Sequence, residues 1–140
     1  MADIPDAVLA RLRQEAGRRC GYCRTSSKIT GQPLTVEHIL PVARGGSSDE
    51  GNLWLACRRC NEFKGAQVEA TDPETGEAVR LFNPRHQVWR EHFAWSGDGT
   101  RINGFTPCGR ATSVALRLNN EDIVSARRLW VSVGWHPPQE

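Results

Sequence analysis

Two Cys-x-x-Cys pairs constrain this chain more than any other feature. Cys20 and Cys23 form the first pair, Cys57 and Cys60 form the second, and 33 residues separate the pairs. Such a turn points two thiolates at one tetrahedral ion while nearby amides stabilise the sulfur charge, and two turns complete a closed four-thiolate site. A closed site has no open position for water, so the spacing predicts a structural zinc ion.

Redox thiols and unrelated buried cysteines are the alternatives for these four residues. A redox pair is typical of a βαβ context, which this sequence does not indicate. The fifth cysteine, Cys108, has no partner in the sequence, and we expect it to be a small buried hydrophobic residue. No apolar run approaches the roughly 20 residues of a membrane-spanning helix, and the N-terminus lacks a secretory pattern. We therefore expect an intracellular protein with no membrane partner, in which thiols bind metal.

The charge is nearly balanced, with 18 basic and 16 acidic residues and a formal net charge of +2. That balance does not argue by itself for a polyanionic partner. Up to Lys64, however, the chain has ten Lys or Arg against seven Asp or Glu. The positive excess therefore lies in the segment that holds the cysteine pairs.

The segment around the cysteines predicts a strand, a loop, a second strand and a helix. In chain order these are residues 34–40, a turn at 45–48, residues 53–56 and a helix that starts just after Cys60. This order places His38 on the first strand and Asn61 in the first turn of the helix. Upstream, residues 4–18 predict an amphipathic helix with Asp3 as N-cap and Gly17 as its stop.

The C-terminal half predicts further elements. Residues 71–76 are expected to be a loop, 92–96 and 101–105 a hairpin, 106–118 a helix, and 123–133 a last helix ending at Gly134. We expect a single domain over residues 1–140, with a core at about 18–70 and an extension at about 78–140 that completes the hydrophobic core. In the alternative interpretation, the extension has a DNA-facing surface that includes one or more of Arg85, Arg90, Arg110, Arg127 and Arg128.

A carboxylate and a histidine adjoin at Glu37 and His38. Neighbouring side chains leave opposite faces of a strand, so both serve one site only where the strand ends, and Pro41 is placed to end it. Oxygens of Glu37 and Asn61 would make a hard, incompletely filled site that suits magnesium or manganese better than zinc. A neutral imidazole near such an ion takes a proton from water, and this combination hydrolyses phosphodiesters.

Two of these residues also have an ordinary structural interpretation. A histidine taken alone is more commonly structural than catalytic. Asn52 is either a turn residue or a side chain that bridges backbone groups across the loop and keeps His38 oriented.

The following pattern resembles the HNH endonuclease family: Cys20-x-x-Cys23, Glu37-His38-Ile39-x-Pro41, Gly45-Gly46, Asn52-Leu53, Cys57-x-x-Cys60-Asn61 and Lys64-Gly65. The resemblance covers a little under a third of the chain. It implies an α+β fold with a small ββα-metal core and a structural zinc, here extended by a C-terminal hairpin and two helices.

The resemblance also implies roles for individual residues. Glu37 matches the acidic metal ligand, His38 the general base, Asn52 the asparagine that orients the loop, and Asn61 a second metal ligand. The implied activity is nicking or double-strand cleavage of DNA that leaves 5′-phosphate and 3′-hydroxyl ends. Two positions depart from the common pattern: Glu37 stands where Asp is commoner, and Asn61 replaces His, which favours hard metals.

Basic residues around this motif are candidates for contacts with DNA phosphates, which need positive charge. They are Arg44, Arg58, Arg59 and Lys64, and Lys64 is preferred because it lies three residues after Asn61 on a helix face. The sequence thus predicts a DNA endonuclease with zinc and catalytic magnesium or manganese, of a bacterial or phage cytoplasm. The alternatives are a zinc-knuckle DNA-binding module without cleavage activity and a redox dithiol protein, and the sequence leaves the oligomeric state open.

Overall fold

The computed structural model describes residues 3–139 and contains five α-helices and three two-stranded antiparallel sheets in that range. The helices are α1 Asp6–Ala16, α2 Ser27–Thr30, α3 Arg58–Lys64, α4 Pro107–Ala115 and α5 Glu121–Ser132. The paired strands are β1 Thr35–His38 with β2 Leu53–Ala56, β3 Glu69–Thr71 with β4 Ala78–Arg80, and β5 Phe93–Trp95 with β6 Ile102–Gly104. The predicted α+β class and the strand, strand, helix order of the core are confirmed.

The chain divides into two compact units. The first comprises the chain up to Val68 together with Asn83–His86, and the second comprises Glu69–Phe82 and the chain from Gln87 onward. None of the helices in residues 3–139 has the length and apolar character needed to cross a bilayer. The single domain expected over residues 1–140 stays a prediction.

In the first unit, α1 packs on the β1–β2 hairpin. Leu12 and Ala16 of α1 and Leu53 and Leu55 of β2 form its buried cluster. Pairing of Glu37 with Trp54 and of His38 with Leu53 sets the register of the hairpin. Because residues of one strand alternate between faces, the hairpin turns one face to α1 and leaves the other for α3.

The structure confirms the predicted C-terminal end of α1 but not its predicted N-cap. Gly17 ends the helix as predicted, in the left-handed region with φ 60°, and its N–H donates to Arg13 O. Asp3 was wrong as N-cap, because the helix begins at Asp6 and Pro5 occupies the cap position without a side-chain bond. The carbonyl of Pro5 accepts from Val8 N instead.

The start of α3 is also corrected. This helix begins at Arg58 and not after Cys60, because Cys57 is its N-cap and the Cys57 sulfur accepts from Cys60 N at 3.4 Å. Asn61 is therefore the fourth helical residue. A thiolate has taken the capping position that Ser, Thr, Asp or Asn fills in most helices.

The second unit contains the elements downstream of Glu69. The expected loop at 71–76 is the turn of the β3–β4 hairpin, where buried Asp72 pairs with Arg110 at 2.9 Å. Hydrogen bonds from Arg110 hold the pKa of Asp72 far below its ordinary value. The predicted hairpin is confirmed as β5–β6, and α4 begins at Pro107 with Thr106 as cap, although it ends at Ala115 and not near residue 118.

Three of the five arginines considered for a DNA surface are engaged within the protein. Arg127 is fully buried and donates to Thr100 O at 3.1 Å, Arg110 binds Asp72, and Arg85 donates to Leu53 O at 3.0 Å. Arg90 and Arg128 are exposed. Only two of the five arginines, Arg90 and Arg128, therefore remain candidates for a DNA-facing surface on the extension.

Candidate active site and zinc centre

The sulfur atoms of Cys20, Cys23, Cys57 and Cys60 all lie within 4.8 Å of one another. Cys23 Sγ and Cys57 Sγ, one from each pair, are 3.7 Å apart. Zinc–sulfur bonds of about 2.3 Å place tetrahedral sulfur atoms about 3.8 Å apart, so this spacing fits a shared ion. The cluster fits the predicted structural zinc.

The surroundings of the sulfur atoms also suit negative charge. Tyr22 N donates to Cys20 Sγ at 3.4 Å, and an Arg59 guanidinium nitrogen lies 3.6 Å from Cys23 Sγ. Hydrogen bonds from the neighbouring thiols, together with the charge of Arg59, hold the pKa of Cys23 well below its ordinary value, whereas burial raises the pKa of Cys20 and hydrogen bonds within the cluster raise the pKa of Cys60. Zinc binds the thiolate form, so four thiolates at this site need the charge of the ion to balance them.

The first cysteine turn is closed tightly by Gly21. A Cβ at this position would lie 2.4 Å from the Trp54 ring and 2.8 Å from Pro84 Cβ, so a larger residue does not fit. Gly21 N donates to Leu55 O at 3.0 Å, which ties the turn to β2.

On the α3 face of the hairpin, Asn61 contacts β1. Its side-chain nitrogen donates to Thr35 Oγ1 at 3.0 Å and to Val36 O at 3.3 Å. Asn61 is thus held against the strand that carries Glu37.

Glu37 lies on the same side of β1 and is 2% exposed. One carboxylate oxygen, Oε1, is 3.1 Å from Lys64 Nζ, and the other, Oε2, accepts a hydrogen bond from the Tyr22 hydroxyl. Burial, together with the charge of Glu37, raises the pKa of Tyr22 well above its ordinary value, so this hydroxyl stays protonated and keeps donating. Both oxygens of the predicted metal ligand therefore have protein partners.

Lys64 completes a buried network. Besides Glu37, its ammonium group donates to Ile39 O at 3.2 Å and to His38 O at 3.3 Å. The Lys64 side chain is 2% exposed. The preference for Lys64 as a contact to DNA phosphate is corrected, because this ammonium group faces the interior and neutralises Glu37.

His38 is the last residue of β1, the position at which alternation between faces ends and its side chain can share a site with Glu37. The side chain is half-buried, and Nε2 lies 3.0 Å from Ser48 Oγ. Asn61 and Lys64 of α3 thus contact β1 around Glu37, whereas the His38 imidazole contacts Ser48 in the following loop. Ser48, which adjoins the imidazole, was not identified from the sequence, where it is one of several turn residues.

The Asn52 side chain bridges backbone groups across the loop, which is one of the two roles considered for it from the sequence. Its Oδ1 accepts from Leu40 N at 2.8 Å, and its Nδ2 donates to Leu40 O at 3.0 Å and to Ser47 O at 2.7 Å. Gly46 meets the same strand end, where a Cβ would lie 1.7 Å from Leu40 O. The Asn52 hydrogen bonds thus tie together the two ends of the loop that follows His38, and Gly46 allows its close approach to Leu40.

Residues 20–67 match the sequence model of the family described as HNH endonuclease. This segment is an HNH domain. The match spans the cysteine cluster, both strands of the first sheet and α3. Neither the curated proteins nor the solved structures compared with the chain gave a match.

The HNH domain indicates a nuclease-type function and, with it, a nucleic acid as substrate. The family also suggests a divalent metal in addition to the structural zinc. A hard cation suits the carboxylate and amide oxygens of Glu37 and Asn61. The carboxylate already pairs with one cation, the Lys64 ammonium, so a metal at Glu37 would compete with this partner.

The other basic residues predicted to contact DNA lie at the edge of the HNH domain. Arg44 is exposed and donates to Ala66 O at 2.7 Å. Arg58 is exposed and pairs with Glu62 at 3.0 Å, whereas Arg59 is half-buried beside the cysteine cluster. Their contacts with DNA stay predictions.

The cysteine cluster yields a first prediction. Cys57→Ser removes one zinc ligand and the sulfur that caps α3, so zinc content should fall from about one ion per chain towards zero. Metal-binding energy is folding energy in such sites, and each lost kcal/mol lowers the melting temperature of a small domain by about 4–8 °C. Elemental analysis and calorimetry of the purified protein measure both effects.

Cys108→Ser is the matched control, since Cys108 lies in the second unit and outside the cluster. It should retain zinc. Wild-type zinc content and melting in Cys57→Ser would contradict the assignment.

Proposed function

We propose that the protein is a metal-dependent HNH endonuclease that hydrolyses phosphodiester bonds of DNA by nicking or double-strand cleavage. The observation that carries this proposal is the HNH match over a segment in which α3 holds Asn61 against the strand bearing Glu37 and His38. The modest positive excess up to Lys64 agrees with a polyanionic substrate.

In this proposal His38 is the general base. A half-buried imidazole remains accessible to water, and a neutral ring accepts a proton near neutral pH. The contact with Ser48 Oγ at 3.0 Å limits the orientations of the ring. The Asn52 bridge positions the loop that carries Ser48, because it fixes the neighbouring Ser47 carbonyl.

The bond changes are those of hydrolysis. A water oxygen bonds to phosphorus, its proton passes to His38, and the bond from phosphorus to the 3′ oxygen breaks. The 3′ oxygen takes a proton from solvent, which leaves 5′-phosphate and 3′-hydroxyl ends.

Glu37 and Asn61 would hold the catalytic ion, magnesium or manganese. When bound, the ion supplies positive charge at the phosphate and its leaving oxygen. Glu37 Oε1 would hold the ion in competition with the Lys64 ammonium, and Tyr22 holds the other carboxylate oxygen.

The same contacts favour a second candidate function, a zinc-knuckle DNA-binding module without cleavage. Glu37 is 2% exposed and both of its oxygens are engaged. If Lys64 does not leave the carboxylate, the domain keeps its fold and its basic surface but has no catalytic ion.

Plasmid cleavage distinguishes the two functions. We expect the zinc-loaded protein to nick supercoiled plasmid with magnesium or manganese and not with EDTA, and His38→Ala to lower the rate by about 10²–10⁴-fold, the usual contribution of a general base. His86→Ala is the control, because His86 is exposed in the same unit and only its backbone nitrogen is hydrogen-bonded to Asn83. DNA binding without nicking under either metal would support the module.

Lys64→Met tests the competition at Glu37 without any cleavage assay. Removing one partner of a buried ion pair costs about 3–5 kcal/mol, so the zinc-loaded variant should melt more than about 10 °C below wild type when no magnesium or manganese is added. Magnesium or manganese should restore much of this loss, because ligand binding to the folded state stabilises it. The ion-induced rise in melting temperature should be larger for Lys64→Met than for wild type.

Two further variants make this test specific. Lys28→Met removes an exposed lysine of the same unit and should behave as wild type. The double variant Glu37→Gln with Lys64→Met should lose the response to the ion. An equal response in the presence and absence of the Glu37 carboxylate would exclude Glu37 as the ligand.

A further inference from the structure

We propose that a basic groove along α1 binds the sugar-phosphate backbone of the nucleic-acid substrate. The inference rests on the proposed function for the choice of substrate. The groove, called the α1 groove below, encloses about 400 Å³, and its lining includes Arg13, Gln14, Arg18, Ser27, Leu34 and Leu55.

The lining of the α1 groove combines positive charge with an apolar floor. Arg13 and Arg18 are exposed, Ser27 and Gln14 add polar groups, and no acidic residue lines the groove. Leu34 is half-buried and Leu55 is buried. Guanidinium groups bind phosphate through paired N–H donors, and an apolar floor suits the sugar between two phosphates.

The charge on this groove is not neutralised from within the protein. Within residues 3–139, neither Arg13 nor Arg18 has a carboxylate partner, whereas Arg11 on the same helix pairs with Glu50 at 2.7 Å. Hydrogen bonds and charge from Glu50 raise the pKa of Arg11 further above its ordinary value. Unpaired guanidinium groups with no acidic neighbour in the lining attract an external anion.

The backbone places the two arginines and Ser27 around one opening. Gly17 turns the chain at the end of α1, and Ser27 N donates to Arg18 O at 2.9 Å. The start of α2 is therefore held beside the end of α1. Arg13 lies one turn before the end of the same helix.

A second, smaller groove of about 60 Å³ continues the first. It shares Ser27 and Leu34 with the α1 groove and reaches Cys57, Arg58 and Arg59 at the start of α3. The linings of the two grooves together contain four arginines, of which Arg13 and Arg18 have no carboxylate partner within residues 3–139, Arg58 pairs with Glu62 and Arg59 lies beside the cysteine cluster. Repeated positive charge along a track fits a polymer of phosphates better than a single small anion.

Sequence reasoning identified Arg58 and Arg59 but missed Arg13 and Arg18. Arg13 lies in α1 and Arg18 follows it. The apolar pattern of this helix indicates only that it packs against the core. The proposed contact of Arg13 and Arg18 with phosphate depends on the chain returning to the end of α1 at Ser27. No local sequence pattern predicts that return.

The test is the salt dependence of DNA binding, measured by fluorescence anisotropy with His38→Ala protein so that cleavage does not interfere. Each phosphate contact contributes about −0.9 to the slope of log affinity against log salt on duplex DNA. We expect Arg13→Gln and Arg18→Gln each to make that slope shallower by about one. Arg11→Gln removes the same charge from the same helix at an ion-paired position and should leave the slope unchanged.

Zinc content and melting temperature are measured for each variant, so that unfolding is not mistaken for lost contacts. An unchanged slope in both groove variants, with DNA still bound, overturns the α1 groove and leaves the proposed cleavage standing. If the groove variants give a shallower slope but the wild-type protein does not nick DNA, the α1 groove is supported and the proposed cleavage is overturned. Failure of the parent protein to bind DNA overturns both.

Discussion

The approach of four thiols from two distant segments is the constraint on which the candidate active site depends. Cys57 is both a ligand candidate and the N-cap of α3, so the cluster determines where that helix starts and which of its residues meet β1. Tyr22, which lies between the first two cysteines, donates to Glu37. The cluster therefore supports the site from both sides. A zinc ion would convert this arrangement from four separate thiols, three of them on buried residues, into one rigid centre.

The pair formed by Glu37 and Lys64 connects stability with the proposed chemistry. An ammonium group has three donors, and Lys64 uses three acceptors within 3.3 Å, namely Glu37 Oε1 and the carbonyls of His38 and Ile39. Both charges can be buried because every donor of the ammonium group has an acceptor. A carboxylate bound in this way is kept in place, and any metal it binds has to compete with an internal cation. Glu37 would then contribute both to folding and to metal binding.

Much of the core could be predicted because its signals are local or have fixed spacing. The cysteine turns, the strand ending before Pro41, the glycine turn and the bridging amide of Asn52 each follow from the chemistry of one or a few residues. Lys64 could not be placed in this way: its helical position next to Asn61 was evident, but burial and pairing depend on packing of α3 against β1. The cap at Cys57 was missed because thiols rarely cap helices unless a metal centre needs them there. The sequence predicted the turn at residues 71–76 but not the strands on either side of it, because each strand is three residues long and mostly exposed.

The most direct test of this account is a crystal of the zinc-loaded protein soaked in manganese, with anomalous diffraction recorded at the zinc and manganese edges. The account predicts a zinc peak among Cys20, Cys23, Cys57 and Cys60 and a manganese peak between Glu37 and Asn61, with the Lys64 ammonium displaced from Glu37. A zinc peak alone, with Lys64 still bonded to Glu37 at saturating manganese, would contradict the proposed metal site.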